Sequence, residues 1–127
     1  MMRRLLQVGL AGLLLTGLAA GPAHAGSDEI RREGACSGRS DWELRVRLED
    51  GRFRVRWRVD SGIAGQTWRM RVFHDGERIV AATRTTNVDG EATIDLRGVP
   101  NHAGDDLFQG RARNPNSGET CAGQVAF

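Results

Sequence analysis

The chain has no tyrosine and no lysine, and it contains two cysteines, three prolines and three tryptophans. All 18 basic residues are therefore arginines. Without tyrosine the protein lacks the usual exposed platform for sugars, and its tryptophans are in phase with core residues. The one long apolar run, residues 5–20, is shorter than the roughly 20 residues that a membrane-spanning helix needs. These absences argue against a lectin and against an integral membrane protein.

The first 25 residues have the three parts of a secretory signal peptide. A positive start at Arg3 and Arg4 precedes the apolar run, and two alanines then flank a histidine directly before the predicted cleavage point. We predict cleavage after Ala25. The product, residues 26–127, is expected to be one secreted, extracellular domain.

The charge balance argues against nucleic acid and membranes as partners. The chain has 18 basic and 16 acidic residues, for a formal charge of +2. Arg3 and Arg4 leave with the leader, so 16 basic residues balance 16 acidic ones in the exported domain. Long-range attraction to a polyanion is then not expected from net charge. We predict no nucleic-acid partner, and no membrane association after cleavage.

Cys36 and Cys121 both lie in the exported domain. In an oxidising compartment, an even number of cysteines in a small domain predicts a structural disulfide. The predicted bridge closes a loop that contains most of the domain. The chain-entropy estimate for such a loop is roughly 4 to 5 kcal/mol of stability.

Alternation of apolar and polar residues with a period of two runs through nearly all of the mature sequence, and no stretch of ten residues has a helical stripe. Asp50-Gly51 and Asp75-Gly76 are typical of tight hairpin turns. The predicted strands lie near residues 29–35, 42–49, 52–59, 68–72, 79–83, 92–96, 107–113 and 120–127. The spacing predicts an all-β, antiparallel β-sandwich of about seven or eight strands with one disulfide.

Two segments resemble parts of immunoglobulin-like and fibronectin-like domains. Trp68 followed by Asp75-Gly76-Glu77 is similar to their third strand and its hairpin, and Ala112, Asn114 and Ser117-Gly118 are similar to the pattern of their last hairpin. The mature chain also resembles a group of small secreted actinobacterial proteins with a tryptophan-rich sandwich and one disulfide. The resemblance implies export and an immunoglobulin-like fold, and it implies no activity.

No catalytic motif is evident, and we predict that the protein is not an enzyme. His74 and His102 are the histidines of the mature chain, and neither is close in sequence to a plausible nucleophile. One loop offers side-chain oxygens and one imidazole to a cation, from Asn101, His102, Asp105 and Asp106. Their spacing matches no calcium loop or zinc pattern. Asp side chains that cap turns explain the same residues. We therefore predict no metal and no cofactor.

The most unusual feature is a run of arginines on the hairpin around Asp50-Gly51. A two-residue turn places Arg47 opposite Arg54 and Arg45 opposite Arg56, and like charges at facing positions cost stability. Two explanations stay open. Acidic residues of neighbouring strands, such as Glu33, Glu91, Asp95 or Glu119, pair with the arginines, or the four guanidinium groups bind an anionic partner.

The sequence therefore predicts a secreted, non-catalytic binding or surface module, with Arg45, Arg47, Arg54 and Arg56 as the candidate binding face. The expected partner is an extracellular protein or an anionic cell-wall polymer. The alternative is a small secreted protease inhibitor that presents the loop at residues 113–120, next to Cys121.

Overall fold

The computed structural model describes residues 28–127. Its eight strands are β1 (Glu29–Ala35), β2 (Asp41–Glu49), β3 (Arg52–Asp60), β4 (Thr67–His74), β5 (Glu77–Thr85), β6 (Glu91–Val99), β7 (Leu107–Arg113) and β8 (Thr120–Ala126). They form two antiparallel sheets, with the orders β1-β2-β3-β6 and β5-β4-β7-β8. The predicted all-β sandwich is confirmed. No helix in the described range could cross a membrane, and the predicted leader lies outside the described residues.

Two of the three Asp-Gly pairs form the tight turns of hairpins. Asp50 and Gly51 both have positive φ, 52° and 79°, and so do Asp75 and Gly76, 49° and 86°. Positive φ at both central positions is the requirement of a type I′ turn, which matches the twist of the flanking strands. The third pair, Asp89-Gly90, lies in the connection between β5 and β6, which belong to different sheets. It therefore makes no hairpin.

The apolar face of each sheet packs against that of the other in one core. Trp57, Trp68, Phe53, Phe108 and Leu44 are among its largest fully buried side chains. Each alternates along its strand with a more exposed residue, as the period-two pattern predicts.

Trp42 differs from the two buried tryptophans. Its ring is partly exposed and packs against the backbones of Gly34 on β1 and Gly123 on β8, where a Cβ atom at either glycine would overlap the indole. The predicted core position of the tryptophans therefore holds fully for Trp57 and Trp68, while Trp42 covers one edge of the sandwich.

The disulfide between Cys36 and Cys121 is formed, as predicted. Cys36 directly follows β1, an edge strand of the first sheet, and Cys121 lies on β8, an edge strand of the second. The Ser37 amide also donates to the Thr120 carbonyl oxygen at 2.8 Å. The bridge therefore ties the two sheets together at one edge of the sandwich.

The opposite end of the sandwich carries the β4–β5 turn, the β6–β7 loop and the last residue. The Asp75 amide donates to the Leu107 carbonyl oxygen at 2.8 Å, and Asp106 and Phe127 exchange backbone hydrogen bonds. These bonds hold the turn, the loop and the chain end beside one another.

Candidate functional site

The four arginines predicted as a binding face lie together on the outer face of the first sheet. The β2–β3 register places Arg45 opposite Arg56 and Arg47 opposite Arg54, as the two-residue turn predicts. All four line a small cavity of about 50 Å³, together with Glu29. We call this set the hairpin arginines.

Carboxylates of the same sheet pair with most of the hairpin arginines. Arg54 donates two hydrogen bonds to Asp95, Nε to Oδ1 at 3.0 Å and Nη2 to Oδ2 at 2.7 Å. The Arg54 guanidinium lowers the pKa of Asp95, and Asp95 in turn raises the pKa of Arg54. Arg47 Nε lies 3.7 Å from Glu49 Oε2. Asp95 is thus one of the acidic partners that the sequence suggested.

Glu43 is a second source of negative charge for this face. Its side chain is only 5% exposed. Glu43 Oε2 lies 3.4 Å from Arg31 Nη1, and Glu43 Oε1 lies 3.7 Å from Arg45 Nη2 and 3.6 Å from Arg58 Nη2. Arg58 also pairs with Glu91 at 3.6 Å. Glu119, another suggested partner, instead accepts hydrogen bonds from the amides of Gly38 and Ser40. The face is therefore a mixed network of both charges.

Two of the hairpin arginines each have a buried Nε atom. The Nε atoms of Arg45 and Arg56 are out of contact with solvent and have no hydrogen-bond partner among residues 28–127. Carboxylates of the first sheet therefore offset part of the positive charge of the hairpin arginines, although Arg47 stays 56% exposed.

A second group of arginines lies on the outer face of the other sheet. Arg69 and Arg71 on β4 alternate with buried Trp68 and Met70. The β4–β7 register places Arg69 opposite Arg113 and Arg71 opposite Arg111. All four arginines are exposed. We call these residues, Arg69, Arg71, Arg111 and Arg113, the arginine square.

No carboxylate within residues 28–127 lies within ion-pair distance of the arginine square. Its neighbours across the sheet are uncharged: Ala81 and Thr83 on β5, and Ala122 and Thr120 on β8. A shallow groove of about 430 Å³ runs beside it and is lined by three of the four arginines. The arginine square is therefore an accessible, unneutralised patch of four positive charges.

The sequence displayed the residues of the arginine square but not their arrangement. The alternation of Arg69 and Arg71 with apolar residues predicts that both point outwards, and the same holds for Arg111 and Arg113. What was missed is that β4 pairs with β7, because β5 and β6 intervene in the sequence. No local turn signal marks such a pairing.

A cluster of histidines and aspartates lies at the end of the sandwich that carries the β4–β5 turn. His102 and Asp106 were weighed above as cation ligands. They lie beside His74 and Asp75, a proximity that the sequence did not predict. His74 Nε2 is 2.7 Å from Asp106 Oδ1, and His102 Nδ1 is 2.6 Å from Asp75 Oδ2. Asn101 and Asp105 are exposed and outside the cluster. We call these four residues the His–Asp cluster.

The segment suggested as an inhibitory loop is a tight turn. Asn114 is buried, and its side-chain oxygen accepts hydrogen bonds from the amides of Asn116 and Ser117 at 2.9 and 3.1 Å. The Gly118 amide donates to the Asn114 carbonyl oxygen at 2.8 Å. The geometry adds no observation in favour of a protease inhibitor, which stays a prediction.

The chain was compared with protein-family models, curated proteins and solved structures, and none of them matches. The side chains described above are therefore the grounds for assigning a function.

Proposed function

We propose that this protein is an exported, non-catalytic binding module that holds an anionic polymer on the arginine square. The observation that carries this proposal is the contrast between the two sheets. Three of the four hairpin arginines lie within ion-pair distance of a carboxylate, whereas none of the arginine square does in the described part of the chain. Two facing pairs of like charges are unfavourable without a ligand and become favourable when an anion lies between them.

The side-chain type suits an anionic polymer. Guanidinium is planar and always charged, and it donates to phosphate or carboxylate oxygens through two parallel hydrogen bonds. Alternate residues of a strand are roughly 7 Å apart, and neighbouring strands are about 4.8 Å apart. The arginine square can therefore bind two successive anionic groups of one polymer. An anionic polymer of the cell wall is the partner that matches an exported protein.

The strand order supports an immunoglobulin-like assignment. Without β1, the sheets read β2-β3-β6 and β5-β4-β7-β8, the order of strands A-B-E and C′-C-F-G in that fold. Trp68 then lies on the strand that corresponds to C, where such domains carry their core tryptophan. In this assignment β1 is an additional edge strand. Domains of this kind commonly serve as extracellular binding modules, which is an argument by analogy.

Export is supported by the leader pattern and by the disulfide. A bond between Cys36 and Cys121 is compatible with an oxidising compartment. We place the mature protein outside the cell, with residues 1–25 removed.

The proposal is tested by binding to a purified teichoic acid, a phosphodiester polymer of the cell wall, with uncharged dextran as the control polymer. The test variant is Arg71→Gln with Arg111→Gln. The matched control is Arg47→Gln with Arg54→Gln, which removes the same charge from the other sheet. All binding buffers contain a metal chelator.

We expect the test variant to bind about tenfold more weakly than wild type, a difference of about 1.4 kcal/mol, and the control variant to bind nearly as well as wild type. Salt should weaken wild-type binding more than binding of the test variant. Equal affinity of the two double variants would show that the arginine square is not the site. Absence of any preference for teichoic acid over dextran would refute the proposed function.

A further inference from the structure

The His–Asp cluster brings four potential metal ligands to one point. His74 ends β4, Asp75 is the first residue of the β4–β5 turn, and His102 and Asp106 lie in the β6–β7 loop. One nitrogen or oxygen of each side chain lies within 4.8 Å of those of the other three. In addition to the two short contacts, His74 Nε2 is 3.5 Å from Asp75 Oδ2, and His102 Nδ1 is 3.9 Å from Asp106 Oδ1.

Backbone hydrogen bonds hold both carboxylates in place. Asp75 Oδ1 accepts from the Leu107 amide at 2.8 Å, which leaves Oδ2 directed into the cluster. Asp106 Oδ1 accepts from the His102 amide at 3.1 Å. Such outer contacts orient metal ligands in known sites.

Among residues 28–127, no arginine pairs with the carboxylates of the His–Asp cluster. Asp106 and His74 are each only 2% exposed. Within residues 28–127, the ion-pair partners of Asp75 and Asp106 are the two histidines. The carboxylate oxygens of Asp75 and Asp106 lie within 4.8 Å of each other, one of them in a buried side chain, and two like charges so close are unfavourable without a cation. One divalent cation would neutralise both.

We propose that the His–Asp cluster binds one divalent transition-metal ion of the Zn²⁺ class. The ligands are His74 Nε2, His102 Nδ1, Asp75 Oδ2 and Asp106 Oδ1. Two imidazole nitrogens and two carboxylate oxygens make a set of four that suits Zn²⁺. Ca²⁺ and Mg²⁺ take oxygen ligands, so the two nitrogens disfavour them.

Ion binding requires one imidazole ring to turn. The His74 and His102 rings are stacked, with centroids 4.0 Å apart and planes only 6° apart. A metal ion lies near the plane of an imidazole that binds it, so two stacked rings cannot both point their lone pairs at one ion. His74 is fixed because Phe108 stacks on it at 4.3 Å. His102 has a side chain that is 44% exposed, and it is therefore the ring that leaves the stack.

The test uses the exported protein after removal of metal with a chelator, followed by calorimetric titration with Zn²⁺. We expect one ion per chain. His102→Gln and Asp75→Asn should each weaken Zn²⁺ binding at least tenfold. Asp105→Asn is the matched control, because Asp105 is exposed and next to Asp106 but outside the cluster. It should bind Zn²⁺ like the wild type.

A second measurement needs no variant. Co²⁺ in place of Zn²⁺ should produce the strong visible absorption of a four-coordinate site, and the His102 ring signals in NMR spectra should shift on Zn²⁺ binding. Absence of Zn²⁺ uptake by the wild type would overturn the proposal and leave the cluster as a hydrogen-bonded network. Equal affinity of His102→Gln, Asp75→Asn and the wild type would overturn it as well. These titrations contain no polymer, so their outcome is separate from that of the polymer-binding test.

Discussion

The indole of Trp57 lies directly on the backbone of Gly110. A Cβ atom at Gly110 would overlap the six-membered ring of Trp57, which is fully buried. The Trp57 Nε1 atom also donates to the carbonyl oxygen of Arg111, the next residue, at 3.0 Å. This contact joins β3 of the first sheet to β7 of the second, and it requires a residue without a side chain at position 110.

We predict that Gly110→Ala destabilises the protein by about 1 to 3 kcal/mol, the usual cost of an extra methyl group in a packed core. The measurement is urea denaturation followed by tryptophan fluorescence. The same substitution in a Trp57→Leu background should cost clearly less, because the overlapping ring is gone. Equal costs in the two backgrounds would contradict the close contact.

Removal of the disulfide is expected to lower stability by about 2 to 5 kcal/mol. Reduction of Cys36–Cys121 frees two edge strands on different sheets, and the unfolded chain regains the entropy of an 85-residue separation. Thermal unfolding of the oxidised protein and of the Cys36→Ser, Cys121→Ser variant measures the difference. A thiol titration of the native protein that finds two free thiols would contradict the bridge itself.

The two groups of arginines should respond in opposite directions to the loss of charge. Arg47→Gln with Arg54→Gln removes the partners of Glu49 and Asp95, so the denaturation midpoint should fall. Arg71→Gln with Arg111→Gln relieves a like-charge pair, so the midpoint should stay the same or rise slightly. The measurement is the denaturation midpoint of each double variant in low salt. High salt should reduce the change in midpoint of both variants. A fall in the second double variant as large as in the first would mean that the arginine square is internally paired.

Acid should weaken the Arg54–Asp95 contact. The pKa of Asp95 is lowered on folding, chiefly because Arg54 donates hydrogen bonds to it. A carboxyl group whose pKa is lowered on folding stabilises the folded protein. This stabilisation is fully present above the unfolded-state pKa of about 4, and it is lost as the pH falls through the folded-state pKa. Asp95→Asn should therefore reduce stability at neutral pH and lose less of it on acidification than wild type. Denaturation curves over this pH range measure the slope, and Asp89→Asn, on an exposed turn, is the control. A steeper acid loss in Asp95→Asn than in wild type would contradict this sign.

Much of the first sheet could be predicted from the sequence, because it is built from local signals. Asp50-Gly51 requires a two-residue turn, and that turn sets the facing positions of every residue on β2 and β3, including Arg45 opposite Arg56. Asp95 could be suggested as a partner but not assigned to Arg54 rather than Arg56. The β3–β6 register places Asp95 opposite Arg56, but its hydrogen bonds come from Arg54, which lies at the register shift between Phe53 and Val55.

The arginine square and the His–Asp cluster were beyond the reach of the sequence. Arg71 and Arg111 are 40 residues apart, and the segment between them crosses to the other sheet and back before β7 pairs with β4. His74 is the last residue of β4 and His102 lies in the β6–β7 loop, and the two meet only at the end of the sandwich. No metal-binding spacing marks them, since His74 and Asp75 are separated from His102 and Asp106 by two whole strands.

The sequence by itself determined the strands, their inward and outward faces, the tight turns and the cysteine pair, because period-two alternation and turn chemistry act over a few residues. Tertiary structure alone decided which arginines are neutralised and which histidines meet aspartates. The physical reason is that charge pairing depends on distances of a few ångströms between strands and loops far apart in the chain. Those distances are set by how the two sheets close over their common core.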